Sequence, residues 1–390
     1  MDPEADAVMK LMIESNQLNT VNRVLFSLKT NAYDPSPLPP LLRDYLDKTS
    51  QLPSWTDWNK MKIAQDLYAL YGLEISMILF FKSLPESYCC PKGVKVLHST
   101  GRLNQDPTFK KFTRRIVETS QFVMNVLSHD SFLPEGSAII TIQKIRVIHA
   151  SIRYYLLSKH GWDSETYGEP INQEDMAGTL MSFSALVIEG LELLNIHWTD
   201  AEKDAFIHTW NVTGYILGVD PSVLPKDYKE ATQMGYQIFD DQKGYSMEGQ
   251  ELTQALIEFI HYILPGNMFD GVAETLIAYF IGSDKIGYLG LKQEEGFFEK
   301  KLPVILRFVS GYTGEIKDHS AIIQSLVKPF ARLILNGILL SYNDHKGPAI
   351  MIPPSLQANW KLGTDWETKP LGPEILGLRL AIQKKINKFE

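Results

Sequence analysis

An all-α fold built around one large helical body is predicted by three observations. Apolar residues recur at three- and four-residue spacing in segment after segment. Few segments show the two-residue alternation of a half-buried strand. The chain has 390 residues, 44% of them hydrophobic and 22% charged, which supplies one extensive core.

Taken in order, the N-terminal stretch to Gln17 is polar and acidic and lacks the basic and apolar regions of an export signal. Pro35 to Pro53 is rich in prolines and reads as a surface arm, so residues 1–54 are assigned to an N-terminal helical and Pro-rich arm. A helix is expected from Trp55 to Leu84, then an irregular stretch, "PESYCCPKG". Further helices are expected over Thr108–Ser128, Ala138–His160, Asp175–Leu194, Asp200–Leu217, Met247–Ile263, Gly271–Phe280, Gly296–Ser310 and Asp318–Tyr342. Asn172 before Asp175, and Thr199 before Glu202, have the chemistry of N-caps. The body is assigned to residues 55–345, and the Pro-containing remainder, 346–390, to a C-terminal extension.

Composition excludes several classes. A formal charge of −8 argues against a broad nucleic-acid or anionic-membrane surface. The two cysteines, Cys89 and Cys90, are adjacent and form no CxxC or CxxCH element, against a zinc ribbon, an iron–sulfur cluster or covalently attached haem. The usage fits a reducing compartment, and a cytoplasmic location is expected. Apolar runs such as Ile75–Phe81 and Leu333–Leu340 are short for a bilayer, so no membrane-spanning segment is expected. "GSDKIGYLG" lacks the order of a phosphate-binding loop, and no GxSxG element occurs. His98, His208 and His261 lie near apolar residues but match no compact metal motif, and core or surface roles are expected of them.

Two helices carry the candidate chemistry. In the first, Phe109, Phe112, Ile116, Val123 and Leu127 form an apolar stripe, with Arg115, Glu118, Thr119 and Phe122 on a neighbouring face. Periodicity alone favours an intrahelical Arg–Glu pair on a solvated face. In the second, Ile142, Ile145, Ile148, Ile152 and Leu156 mark the buried face, and His149 sits inside that stripe between Arg146 and Arg153. From the stripe alone, His149 is a hydrogen-bonded core residue more readily than a ligand. The pattern nevertheless contains what a five-coordinate haem needs: one imidazole, an apolar slot and cations for the propionates.

These segments, "RRIVETSQFV", "KIRVIHASIR" and "PINQEDMAGTLMSFSALVIEGL", resemble the rubber oxygenase and MpaB family. "STGRL" upstream, and "TWNVTGYILGVD" and "YFIGSDKIGYLGL" downstream, extend the resemblance from His98 to Leu291, and more weakly to Trp360. It implies a globin-like helical core enlarged by extra helices and terminal extensions, holding non-covalent haem b. His149 matches the axial ligand of the iron, with Arg115 and Thr119 beside the haem. Arg146 and Arg153 are placed with the cofactor as well. The implied chemistry is O2-dependent cleavage of carbon–carbon double bonds in an apolar, isoprenoid-like substrate, giving carbonyl products. Two departures stand out. Glu118 replaces the lysine of latex-clearing proteins, which makes it a candidate pocket base alongside Thr119 and Arg115. "LHSTGRL" offers no carboxylate where those enzymes place a candidate catalytic glutamate, so polymer cleavage is not carried over. A non-catalytic haem or gas-binding protein, and a haem-free carrier of apolar ligands, stay open at this level, as does the oligomeric state.

Overall fold

A computed structural model describes residues 1–17, 28–99, 110–159, 161–263, 271–292 and Ala331. Every regular element among the described residues is helical. The chain begins with α1, Pro3–Glu14, and α2, Pro40–Thr49. The long α3, Trp58–Ile78, is started by the Asp57 carboxylate, which accepts from the backbone N–H groups of Asn59 and Lys60 at 2.9 and 3.2 Å. It widens into a π-turn over Leu79–Ser83 and runs on as α4, Leu84–Tyr88, before α5, Pro91–Ser99. The stretch expected to be irregular is therefore mostly helical. Pro91 opens α5, a position where a missing N–H costs no helical bond, and Pro85 follows directly on the π-turn over Leu79–Ser83.

An antiparallel hairpin follows: α6, Lys110–Leu127, and α7, Ala138–Lys159. After the short α8, Ser164–Tyr167, come α9, Gln173–Phe183, α10, Ala185–Leu193, and α11, Asp200–Leu217. Asn172 with Asp175, and Thr199 with Glu202, form full capping boxes at α9 and α11. The single helix expected over Asp175–Leu194 is broken at Ser184, whose backbone leaves the helical region. The last described helices are α12, Tyr228–Gln242, α13, Met247–Ile263, and α14, Val272–Ile281. Helix α12 escapes the apolar pattern because Ala231 and Gln242 alone are buried along it; its N-cap Asp227 and its packing on α9 and α10 hold it. The expected helices Gly296–Ser310 and Asp318–Tyr342, and the extension 346–390, lie outside the described residues, apart from the helical and buried Ala331.

The helices enclose two apolar clusters. The main core joins α3, α6, α9, α10, α11, α13 and α14, with α3 laid along α11. A second cluster is formed by α1 and α2 against the outer side of α7, through Ala5, Val8, Met9, Leu42, Tyr45 and Leu46 on one side and Ile140, Val147 and Ala150 on the other. Helix α7 is thus a wall shared by both. The Pro-rich arm is accordingly not a surface feature: Leu42 and Leu46 of α2 are fully buried within their own chain.

Among the described residues, two helices are longer than the strictly apolar runs in the sequence. Trp58–Tyr88 and Gln173–Leu193 are both long and apolar enough to cross a bilayer, because helices run on through polar residues such as Glu74 and Lys82 that interrupt the strictly apolar runs. Most of each apolar window, 72% and 61%, is buried inside the protein. Lys82 itself is buried in the π-turn, where its ammonium donates to Glu86 at 3.1 Å and to the Phe280 carbonyl at 3.2 Å, and pairs with Glu189 at 3.1 Å.

Candidate oxygenase site

The α6–α7 hairpin sets the register of the site. Near its closed end, the Asn125 amide on α6 donates to the Thr141 hydroxyl on α7 at 2.9 Å. At 1.5 Å per residue, Thr119 lies about 9 Å back along α6 from that bond and His149 about 12 Å onward along α7. The two therefore stand at nearly the same height on facing helices, with Arg115 one turn further on. That is how side chains thirty positions apart in the sequence come to share one level of the bundle.

His149 is centred on the inward side of α7. At 100° per residue it falls between the directions of Ile142 and Ile145 and close to that of Leu156. Ile142 and Leu156 are buried, Ile145 packs on the main core and His149 is half-buried. Ile148, expected on the same stripe, lies about 100° away and is 38% exposed. The wall beside α6 is aromatic: Phe122 packs 6.0 Å from both Phe183 and Trp210, which are 5.2 Å from each other. Phe112 and Ile116 of the expected α6 stripe are buried, whereas Phe109 lies outside the described residues.

The polar residues divide. The Thr119 hydroxyl donates to the Arg115 carbonyl at 3.0 Å, so its proton is committed and its lone pairs face outward from the helix. Arg115 acts electrostatically on Tyr88, a residue the sequence reading passed over. Burial pushes the Tyr88 phenol well above its usual range, and the Arg115 charge partly offsets this. The Tyr88 hydroxyl is buried without a hydrogen-bond partner among the described residues, as is the Trp210 indole N–H. Glu118 occupies the exposed edge of α6, where it accepts from Arg114 at 2.8 Å. An intrahelical Arg–Glu pair is thus present on a solvated edge, formed by Arg114 rather than the Arg115 that shares the Glu118 face, and it holds Glu118 away from the role of a dry pocket base.

Arg146 and Arg153 are engaged elsewhere than the sequence reading placed them. Arg146 donates to both carboxylate oxygens of Asp2, at 2.6 and 2.9 Å, to Glu4 at 3.4 Å and to the Ile216 carbonyl at 3.1 Å. Burial is the largest single influence and opposes its charge, but the bonds to Asp2 together with the Tyr45, Asp2 and Glu4 electrostatics outweigh it and raise its pKa. Arg153 donates to Asp6 at 2.6 Å and to the Ile171 carbonyl at 3.3 Å. Only its Nη2 stays without a partner among the described residues. These carboxylates belong to α1, which carried no legible signal of contact with α7. The nearest to one was the i, i+4 spacing of Asp2 and Asp6, which places both on one helical face, opposite two arginines two turns apart.

Of the other histidines singled out in the sequence, His208 and His98 make structural contacts. His208 accepts the Asp57 N–H at Nε2, 2.8 Å, and stands edge-on to Trp55; His98 pairs with Glu251 at 3.1 Å. His261 is half-buried on α13.

Comparison with known proteins decides the family. Residues 93–296, 204 of the 390, match the model of the "ER-bound oxygenase mpaB/B'/Rubber oxygenase, catalytic domain" family. The chain belongs to this oxygenase family. The match spans α5 to α14 and so contains both helices of the hairpin, which makes the protein an oxidoreductase. A rubber oxygenase of Streptomyces sp. strain K30 is 25% identical over 321 residues, 80% of this chain and 76% of that protein. The structure of a latex clearing protein in its closed state has a TM-score of 0.73 at 22% identity, covering 90% of this chain and 94% of that one. That likeness establishes a shared fold for an MpaB/rubber-oxygenase member whose sequence has diverged widely.

Proposed function

We propose that this oxygenase binds non-covalent haem b through His149 and uses O2 on an apolar, unsaturated, isoprenoid-like substrate. The observation that carries the reading is the placement of one imidazole at the centre of an inward helix face, level with Thr119 and Arg115 on the facing helix.

The residues fit the group. An imidazole is a suitable iron donor, and the flanking Ile142, Ile145 and Phe122 are apolar, as a porphyrin face requires. Arg115 is a fixed cation at the same level, and the buried Tyr88 hydroxyl and Trp210 N–H are unspent donors on the same side of the bundle. Arg153 contributes Nη2 at most, and Arg146 is held by α1. Bound there, haem supplies the site for O2 and its activation.

The protein's own residues do the rest. The Ile142, Ile145 and Leu156 flanks hold the His149 ring on the inward face and limit its contact with water. The aromatic wall of Phe122, Phe183 and Trp210 is suited to an alkene chain and excludes bulk solvent. Arg115 stabilises negative charge that develops near Thr119, and the Thr119 lone pairs accept a proton donor there. Glu118 is paired with Arg114 at the solvent-facing edge of α6 and is not placed as a buried base.

The test supplies haem-loaded protein with 18O2 and a short isoprenoid alkene. Cleavage by the proposed chemistry places one labelled oxygen in each of two carbonyl fragments. Haem-loaded protein that yields no labelled product across a series of isoprenoid alkenes contradicts the substrate assignment.

A further inference from the structure

Helix α1 lies outside the matched family region, yet its carboxylates grip the helix that bears His149. Asp2 and Asp6, one turn apart on α1, hold Arg146 and Arg153, which bracket His149 three residues before and four after. Three of the four partners are largely buried, with the Asp2, Arg153 and Arg146 side chains 3%, 1% and 10% exposed, and Asp6 is half-buried at 26%. Between the two grips, Val147 and Ala150 pack on Ala5, Val8 and Met9 of α1. Arg146 and Arg153 also reach back to the Ile216 and Ile171 carbonyls, so each guanidinium ties α1 and α7 to the body at once. Glu4 adds a second strand to the latch, pairing with Lys48 of α2 at 2.6 Å as well as with Arg146.

We infer that Asp2 and Asp6 are positioning residues: α1 is a carboxylate latch that fixes the rotation and depth of α7 over residues 146–153, and through it the His149 imidazole. This deepens the proposed role of His149 and rests on that reading for its link to catalysis. The geometry supports the latch in a specific way. A bidentate Arg146–Asp2 fork and a single charge-assisted Arg153–Asp6 bond, about 10 Å apart along α7, restrain rotation about the helix axis, which apolar packing alone restrains weakly. Paired charges in a low-dielectric layer also have few alternative partners.

The test uses the full chain free of haem. In native-state hydrogen exchange, amides of α1 (3–14) and of 146–153 are expected to open as one unit under mild denaturant, with α6 opening separately. Asp2→Asn and Asp6→Asn are expected to raise exchange over 146–153 by about tenfold or more and to leave α6 unchanged. The ring 15N signals of His149 are expected to shift and broaden, with those of His129 and His197 unmoved, and Asp6→Glu is expected to restore them. Separate opening of α1 and 146–153 in the parent chain overturns the latch without any variant. An unchanged His149 signal in the folded Asn variants overturns it too. A haem titration on the same samples separates the two claims. A parent chain that shows the latch but takes up no haem contradicts the cofactor reading and leaves the latch standing.

Discussion

Replacing Lys82 with methionine gives a quantitative check on how the core is held. The ammonium is 2% exposed and satisfies three acceptors: Glu86, Glu189 and the Phe280 carbonyl. Methionine fills much of the same space, so the cost is electrostatic. Glu86 is 3% exposed and keeps Lys285 as a partner, Glu189 keeps the Tyr236 hydroxyl, and the Phe280 carbonyl loses its side-chain donor. Breaking a buried pair on one side costs about 3–5 kcal/mol, and retention of Lys285 places this case near about 3. Unfolding entropy of about 2.1 cal/mol/K per residue gives roughly 0.8 kcal/mol/K for a chain of 390, so the melting temperature falls by about 4 °C. Differential scanning calorimetry reads this directly. Lys243→Met, which removes an exposed pair with Asp240, serves as the reference and is expected to change nothing measurable. A Lys82→Met protein as stable as the parent would refute the claim that this network is paired, and needed, in the core.

Three further outcomes follow from single sites. Burial, with Lys29 nearby, lowers the Lys144 pKa to about 8, so the native state resists its charge at neutral pH. Lys144→Met should gain about 1–2 kcal/mol in urea titrations below pH 8, after discounting for partial exposure, and the gain should fade as the pH rises from 8 towards 10.5. His208 has its pKa lowered by burial, then by Lys60, with Asp57 opposing, and accepts a backbone N–H in its neutral form. Its stabilising contribution is complete above the unfolded value of about 6.5 and declines on acidification towards the lower folded value; His208→Gln should remove that acid-side loss. At Gly190 a methyl group would meet Ile78 Cγ2 at 2.4 Å, so Gly190→Ala should cost about 1–3 kcal/mol by calorimetry.

The sequence made the helices legible where an apolar stripe or a cap marked them. Helices α11 and α13 appear with the expected bounds, and both capping boxes sit where Asn172 and Thr199 placed them. Helix α12 was illegible because almost nothing on it is buried, and Ser184 broke a continuous apolar pattern that gave no warning of a break. For the proposed site, His149, Thr119 and Arg115 were singled out by the family resemblance, whereas periodicity alone read them as a core histidine and a solvated face. What the spacing did not reveal was which partners the charged residues choose. Arg146 and Arg153 look outward to α1, more than 140 positions away in sequence, and Glu118 turns to Arg114. Tyr88 was hidden because it lies in the stretch "PESYCCPKG", which was expected to be irregular and is mostly helical. Local pattern encodes which face a residue occupies; long-range ion pairing depends on tertiary placement that no local window contains.

The central claim, that His149 is the protein ligand of a bound haem, is tested most directly by a UV–visible spectrum with a pyridine haemochrome assay on the parent chain and His149→Ala. The account predicts a Soret band and about one haem b per parent chain, with loss of haem or a displaced band in the variant that exogenous imidazole restores. Full haem content and an unchanged spectrum in His149→Ala would contradict it.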